Sequence, residues 1–227
     1  MNIILLTDPI DVLNIEGIRP DNETEEDKSR VQILKEDRDR KEAEKVHRGD
    51  YKNFLSQCGI KMTVRGVEEK DWPRVVQLLN RTNELNTTGN RYALEELKKS
   101  YELNNDKILI VELKDKFGDY GLIAECIIDT REPGAWTIRD LTVSCRTMGR
   151  GVGSNLVLVI LDLAQKSGIK TVSGHILPTE SNWRVQPLYE KRGFQKVADN
   201  GRIQKYQFNV EKDKIMEYSD WLEMNIS

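Results

Sequence analysis

Apolar residues are distributed in two ways along the chain: sparsely in a charged N-terminal stretch, and from about residue 60 in alternating strand-like and helix-like patterns. Lys61-Met62-Thr63-Val64-Arg65-Gly66-Val67 has period two and reads as a strand. Asp71-Trp72-Pro73 then opens a helix, with an acidic N-cap, a proline in the first turn, and Trp72, Val75, Val76 and Leu79 on one face. Tyr92, Leu94 and Leu97 mark a second helix over about 92–101. Three strand-like runs follow, Lys107 to Lys114, Tyr120 to Thr130 and Ala135 to Cys145, and the short turns between them predict an antiparallel meander. Ser154 to Lys166 is apolar on nearly every side, as a helix buried against a sheet must be. Gly168 closes it, Lys170 to Ile176 is a further strand, and Leu188 to Arg192 is a last helix stopped by Gly193. Phe194 to Asp199 and Ile203 to Val210 complete the order β-α-α-β-β-β-α-β-α-β-β, an α/β arrangement.

The N-terminal stretch differs in kind. Glu23 to Arg48 holds nine acidic and eight basic residues, with Val31, Ile33, Leu34, Ala43 and Val46 as its apolar members. That stripe is too narrow for a core. A capping box at Thr24-Glu25-Glu26-Asp27 and pairs such as Glu26/Arg30 and Asp37/Lys41 predict one solvated helix over about 28–46, read either as a charged linker or as a partner-binding helix. The expected division is an extension at 1–48 and a domain at 49–227.

Composition narrows the function classes. The chain has 227 residues, with Lys+Arg 35 against Asp+Glu 38 and a net charge of −3, so no global field gathers nucleic acid or an anionic membrane. No apolar run approaches the ~18–20 residues that span a bilayer. Cys58, Cys126 and Cys145 are far apart, and His47 and His175 are the histidines available to them, so no metal site is expected. The expected setting is soluble, reducing and cytoplasmic.

Candidate chemistry begins at Met148-Gly149-Arg150-Gly151-Val152-Gly153-Ser154, which joins a strand directly to the buried helix. Glycines let consecutive amides face one concavity, and a helix N-terminus adds about half a positive charge, so a pyrophosphate can sit there. The start of a helix also favours glycine for its own sake. The segment lacks the GK[ST] ending of a nucleoside-triphosphate loop, and it follows a meander instead of an opening βαβ strand.

One strand further on, Asn182, Val185, Leu188, Tyr189, Gly193 and Phe194 stand in the order N-x-x-V-x-x-L-Y-x-x-x-G-F. With the Arg65…Asp71 opening and the G-x-G turn, this resembles the GNAT superfamily of acyl-CoA-dependent acyltransferases over roughly residues 60–210. The resemblance implies a GNAT-like fold: a central, mostly antiparallel mixed sheet flanked by helices. It implies transfer of an acyl group, acetyl above all, from acyl-CoA to an amine or a carrier-linked acceptor. In the family the amides of Arg150, Gly151, Val152, Gly153 and Ser154 would hold the pyrophosphate, and Leu141, Thr142 and Val143 would line the pantetheine. Arg146 or Arg150 would contact the pyrophosphate as well, and Asn182 would bind the cofactor or cap the last helix. Tyr189 would protonate the departing thiolate, or else be a core tyrosine of an amphipathic helix. A base is also needed, and Asp140 is the first candidate, with Glu125 and His175 behind it. Cys145 reads as a small buried side chain and not as a nucleophile.

Arg81 to Asn86, Asp115 to Gly121 and Leu141 to Arg146 are similar, more narrowly, to the C-terminal GNAT-like half of FkbH-like proteins of polyketide pathways, in which a HAD-type half loads acyl carrier proteins. Residues 24–45 resemble the connector that ends the HAD half; the DxDxT motif is absent. The implied partners are an acyl carrier protein or a HAD-type enzyme, with a homodimer left open, and the rival function is a non-catalytic interaction module. Met148, where the family has Gln or Arg, and Pro187, two residues before Tyr189, depart from the pattern.

Overall fold

The computed structural model describes residues 35–36, 38–45, 49–104 and 106–227. The apolar leader and the expected capping box at 24–27 lie outside the described residues. In chain order the elements are α1 (Tyr51–Gln57), β1 (Ile60–Gly66), α2 (Trp72–Arg81), α3 (Leu94–Asn104), β2 (Lys107–Asp115), β3 (Gly118–Asp129), β4 (Ala135–Val143), α4 (Val152–Lys166), β5 (Thr171–Ile176), β6 (Gln195–Asp199), β7 (Gln204–Asn209) and β8 (Leu222–Ile226). A helical run over 38–45 precedes them.

The strands form one sheet in the order β6-β7-β5-β4-β3-β2-β1-β8. β4 pairs with β5, and β1 with β8, in parallel, and the other neighbours are antiparallel. The expected mixed, mostly antiparallel sheet is therefore present. Each face has its own core. α4 supplies Leu156, Val157, Val159 and Ile160 to one face, and α2 and α3 supply Trp72, Val75, Leu79 and Leu97 to the other. Burying such side chains stabilises by roughly 1.5–3 kcal/mol each, and from Leu156 to Leu161 every residue of α4 is apolar and buried.

The Arg65…Asp71 opening is an ion-pair network. Arg65 donates to both carboxylate oxygens of Asp71, at 2.6 and 3.0 Å, and to Glu112 on β2 at 2.7 Å. Asp71 also accepts the Glu68 amide at 2.8 Å, so one carboxylate ties the start of α2 to the edge of β1.

Several expectations change. The last helix, predicted over Leu188 to Arg192, is a turn ending in a 3-10 helix at Glu190–Arg192, because Pro187 has no amide to donate and Gly193, at φ 86°, leaves the right-handed region at once. α1 and β8 were not anticipated. α1 is capped by Asp50, which accepts the Asn53 amide at 3.0 Å, and Leu222-Glu223-Met224-Asn225-Ile226 alternates as a strand should. The solvated helix expected over 28–46 is in part a docked one: Arg40 is buried, paired with Asp115 and stacked over Phe117 and Tyr120. Cys145, expected to be buried, is exposed in the 3-10 turn after β4.

Candidate functional site

β4 and β5 pair only from Ala135/Thr171 to Ile138/Gly174, although β4 continues to Val143 and β5 to Ile176. Beyond that last pair the sheet splays. The α2–α3 connection fills the opening on the β4 side. Val143 donates its amide to the Leu85 carbonyl at 2.8 Å, Thr87 donates to the Leu141 carbonyl at 3.1 Å, and Leu141 donates to Thr87 Oγ1 at 3.0 Å. Leu177, just past β5, donates to the Thr87 carbonyl at 2.9 Å, so Thr87 bridges the two strands.

At the end of β4 the chain turns into α4 through Gly149 and Gly151, at φ 82° and 81°. A side chain at Gly151 would be strained by that conformation and would also meet Trp221 at 3.3 Å. Gly153 has a different reason: its missing Cβ lets the first turn of α4 close on Val143, which a Cβ would meet at 3.3 Å. The first amides of a helix lack intrahelical acceptors and carry the positive end of its dipole. The C-terminal segment braces this turn. Asn155 donates to the Gly151 carbonyl at 2.8 Å and accepts the Ser219 amide at 2.9 Å, while Trp221 Nε1 donates to the Arg150 carbonyl at 3.2 Å.

The result is a groove of about 440 Å³ in which Gly151, Val152, Gly153 and Ser154 face Leu141, Val143 and Leu188. Six of the sequence-derived cofactor residues therefore share one cavity: Leu141, Val143, Gly151, Val152, Gly153 and Ser154. Four do not line it. Thr142 sits beside Glu125, Arg146 and Arg150 line a second cavity, and Asn182 is buried as a brace. Asn182 donates to the Asn86 and Leu177 carbonyls at 3.0 and 2.9 Å and accepts the Thr179 amide at 2.8 Å. Leu85, Trp183 and Lys191 also line the groove and were not anticipated. Nothing in the local pattern marks them, because Leu85 and Trp183 stand in turns and Lys191 in the one-turn 3-10 helix before Gly193.

Tyr189 is fully buried, against Tyr206 and Phe194, at the crotch of the splay: a Cβ on Gly174, the last paired residue of β5, would lie 2.5 Å from its ring. Its hydroxyl has no hydrogen-bond partner among the described residues. Burial, followed by the neighbouring Cys126 and Asp140, holds this phenol well above its ordinary pKa, so it stays protonated.

A polar cluster adjoins that point. Asp140 accepts from the hydroxyls of Thr88 and Tyr92 and, at 3.3 Å, from Asn90 Nδ2. Burial raises its pKa, and these donors oppose the rise. Glu125 is wholly buried, and burial, then Asp140, pushes its carboxyl well above the usual range. Burial lowers His175, against the pull of Asp140. Cys145 is no activated thiol, since partial burial and then Glu84 raise it. Among the described residues no group of His, Cys, Asp and Glu is arranged to hold a metal, and no helix is long and apolar enough to cross a membrane.

The sequence profile of the acetyltransferase (GNAT) family matches residues 72–194, more than half of the chain. The chain belongs to the GNAT acetyltransferase family. Solved structures agree on the GNAT fold. A domain from Methanocaldococcus jannaschii superposes with a TM-score of 0.54 at 17% identity, covering 66% of this chain and 99% of its own. The ribosomal-protein-S18-alanine N-acetyltransferase from Escherichia coli gives 0.51 at 17%, covering 69% and 99%. The spermidine N-acetyltransferase from Vibrio cholerae, solved with CoA and spermine, gives 0.51 at 18%, covering 67% and 97%. No curated protein matches the chain in sequence. In GNAT terms, the splay, the glycine turn and the buried tyrosine occupy one end of the β4–β5 pair.

Proposed function

We propose that this GNAT domain transfers an acetyl group from acetyl-CoA to an amine by direct attack. The observation that carries the reading is the groove, in which left-handed Gly151, the first turn of α4 and the apolar edge of β4 converge. The pyrophosphate would lie on the amides of Gly151 to Ser154, with the pantetheine running toward Tyr189 past Leu141 and Val143. The amine nitrogen attacks the thioester carbonyl carbon, the C–S bond breaks, and the nitrogen gives up one proton. Asp140 would take that proton, its raised pKa bringing it nearer the working range of a base, and Tyr189 would protonate the thiolate. A carboxylate at Asp140 would suit a cationic amine, the class that spermine represents in the Vibrio cholerae neighbour, although Asp140 and Tyr189 are both buried and lie outside the residues that line the groove. A carrier-linked acceptor would meet the same two groups.

Saturating acetyl-CoA at ~100 times Kd should add about 2.7 kcal/mol of stability, read as a rise in Tm. That rise should vanish in Gly151→Glu and in Gly153→Glu. A Tm unmoved by acetyl-CoA and by free CoA would remove the reading.

One observation favours a second reading, a non-catalytic GNAT-like module for an acyl carrier protein or a HAD-type partner. Leu141 and Val143, whose edge the pantetheine needs, already bond to Leu85 and Thr87. Under this reading no CoA species binds, and the partner is recovered by pull-down with a carrier protein or HAD-type enzyme.

A further inference from the structure

Behind the glycine turn lies a second cavity, of about 410 Å³, between the helical run over 38–45, α1, the β2–β3 turn and the 3-10 turn after β4. Its wall is rich in guanidinium. Arg40, Arg146 and Arg150 place their guanidinium carbons 4.6, 5.6 and 4.3 Å from the centroid of one ring, Tyr120. Such clustering is repulsive unless negative charge answers it.

Among the described residues, the carboxylates that line the cavity are Asp115 and Glu44. Asp115 pairs with Arg40 Nη2, but it also accepts the amides of Phe117 and Gly118, at 2.9 and 3.3 Å, and the Tyr120 hydroxyl at 3.3 Å. Its capacity is used. Glu44 is exposed, and exposed Lys41 offsets it. What remains is a set of aimed donors: Arg40 Nε and Nη1, and Arg146 Nε and Nη2, are buried atoms without a hydrogen-bond partner among the described residues. Arg40 is only 6% exposed. Arginine cannot escape by losing its proton, so buried guanidinium donors call for an acceptor anion.

We propose that this arginine pocket is a binding site for a phosphate monoester, distinct from the groove assigned to acyl-CoA. Planar guanidinium forks match the oxygens of a phosphoryl group, and the cavity leaves room for a small organic body beside it. Met148 lines both cavities, so a ligand in one touches the wall of the other. The inference stands on the arginine geometry and does not require acyl transfer. The phosphoryl group has two sources of the same chemistry, the 3′-phosphate of CoA or a separate phosphorylated small molecule.

The test is calorimetric titration of the full chain with inorganic phosphate and with glycerol phosphate, against chloride at equal ionic strength. Saturable binding is expected, weakened about tenfold or more in Arg146→Gln. That variant removes no hydrogen bond within the described protein, and its unfolding curve should match the wild type; Arg146→Lys serves if it does not. Competition of phosphate with acetyl-CoA but not with its 3′-dephospho form assigns the pocket to the cofactor's own phosphate. Simultaneous binding of phosphate and acetyl-CoA assigns it to a separate ligand. Phosphate that binds no better than chloride, or equally well in a folded Arg146 variant, overturns the proposal.

Discussion

Thr87 holds both backbone groups of Leu141: its amide donates to the Leu141 carbonyl at 3.1 Å, and its Oγ1 accepts the Leu141 amide at 3.0 Å. The free edge of a splayed strand is a row of unpaired donors and acceptors, and here the chain's own loop satisfies it. An extended acyl-pantetheine arm using that edge would have to displace Thr87.

Thr87→Ala should therefore separate stability from binding. It leaves the Leu141 amide without its acceptor, at a cost of about 1–3 kcal/mol in unfolding free energy. The same loss lowers the cost of displacement, so the acetyl-CoA Kd should fall by up to about tenfold. Thr87→Ser, which keeps the oxygen, should behave like the wild type. If calorimetry finds the affinity unchanged in a destabilised Thr87→Ala, the arm does not use this edge.

Tyr189→Phe removes a buried hydroxyl that no described residue bonds. Its Tm should stay level or rise, because an unmade buried hydrogen bond is a cost and not a support. Turnover with an accepted amine should nevertheless drop by about a hundredfold, the usual contribution of a positioned acid. Full activity in a folded Tyr189→Phe would remove the assigned acid.

Asp71 is held below its ordinary pKa of 3.8, first by the Arg65 hydrogen bonds. A depressed carboxylate contributes stability above its unfolded pKa, and that stability is lost as pH falls through the folded value. Asp71→Asn should cost about 2–3 kcal/mol at neutral pH and flatten the acid limb of the stability curve below about pH 4. Chemical denaturation from pH 3 to 7 measures both effects.

Glu125 has the opposite sign. Burial and Asp140 raise its carboxyl well above the ordinary 4.5, so the folded state binds the proton more tightly than the unfolded state. Stability is then lost as pH rises above the unfolded value toward the folded one. Glu125→Gln, a neutral near-isostere that binds no proton in either state, should therefore be more stable than the wild type at pH 7. A variant less stable than wild type at pH 8 would mean that the charged carboxylate is supported after all.

The groove was legible to the extent that its parts are local. Gly151 and Gly153 announce themselves because a left-handed turn and a close helix–strand contact both require glycine, whatever the rest of the chain does. α4 was legible because a helix apolar on nearly all sides has nowhere to go but a core. α1 and β8 are short and half-exposed, so their patterns are weak, and pairing with β1 is what makes a strand of Leu222–Ile226. Lys191 and Trp183 carry no period at all.

The sequence alone determined α2, α4, the meander, the glycine turn and the family order of motifs, since these depend on side-chain periodicity and on backbone freedoms encoded residue by residue. Only the tertiary structure decided which residues meet: that Gly151 to Ser154 line one cavity while Arg146 and Arg150 line another, that Arg40 leaves the charged stretch for the body, and that Thr87 occupies the edge of β4. Those outcomes depend on the splay of two strands and on contacts between residues tens of positions apart, and no local pattern contains the register that brings them together.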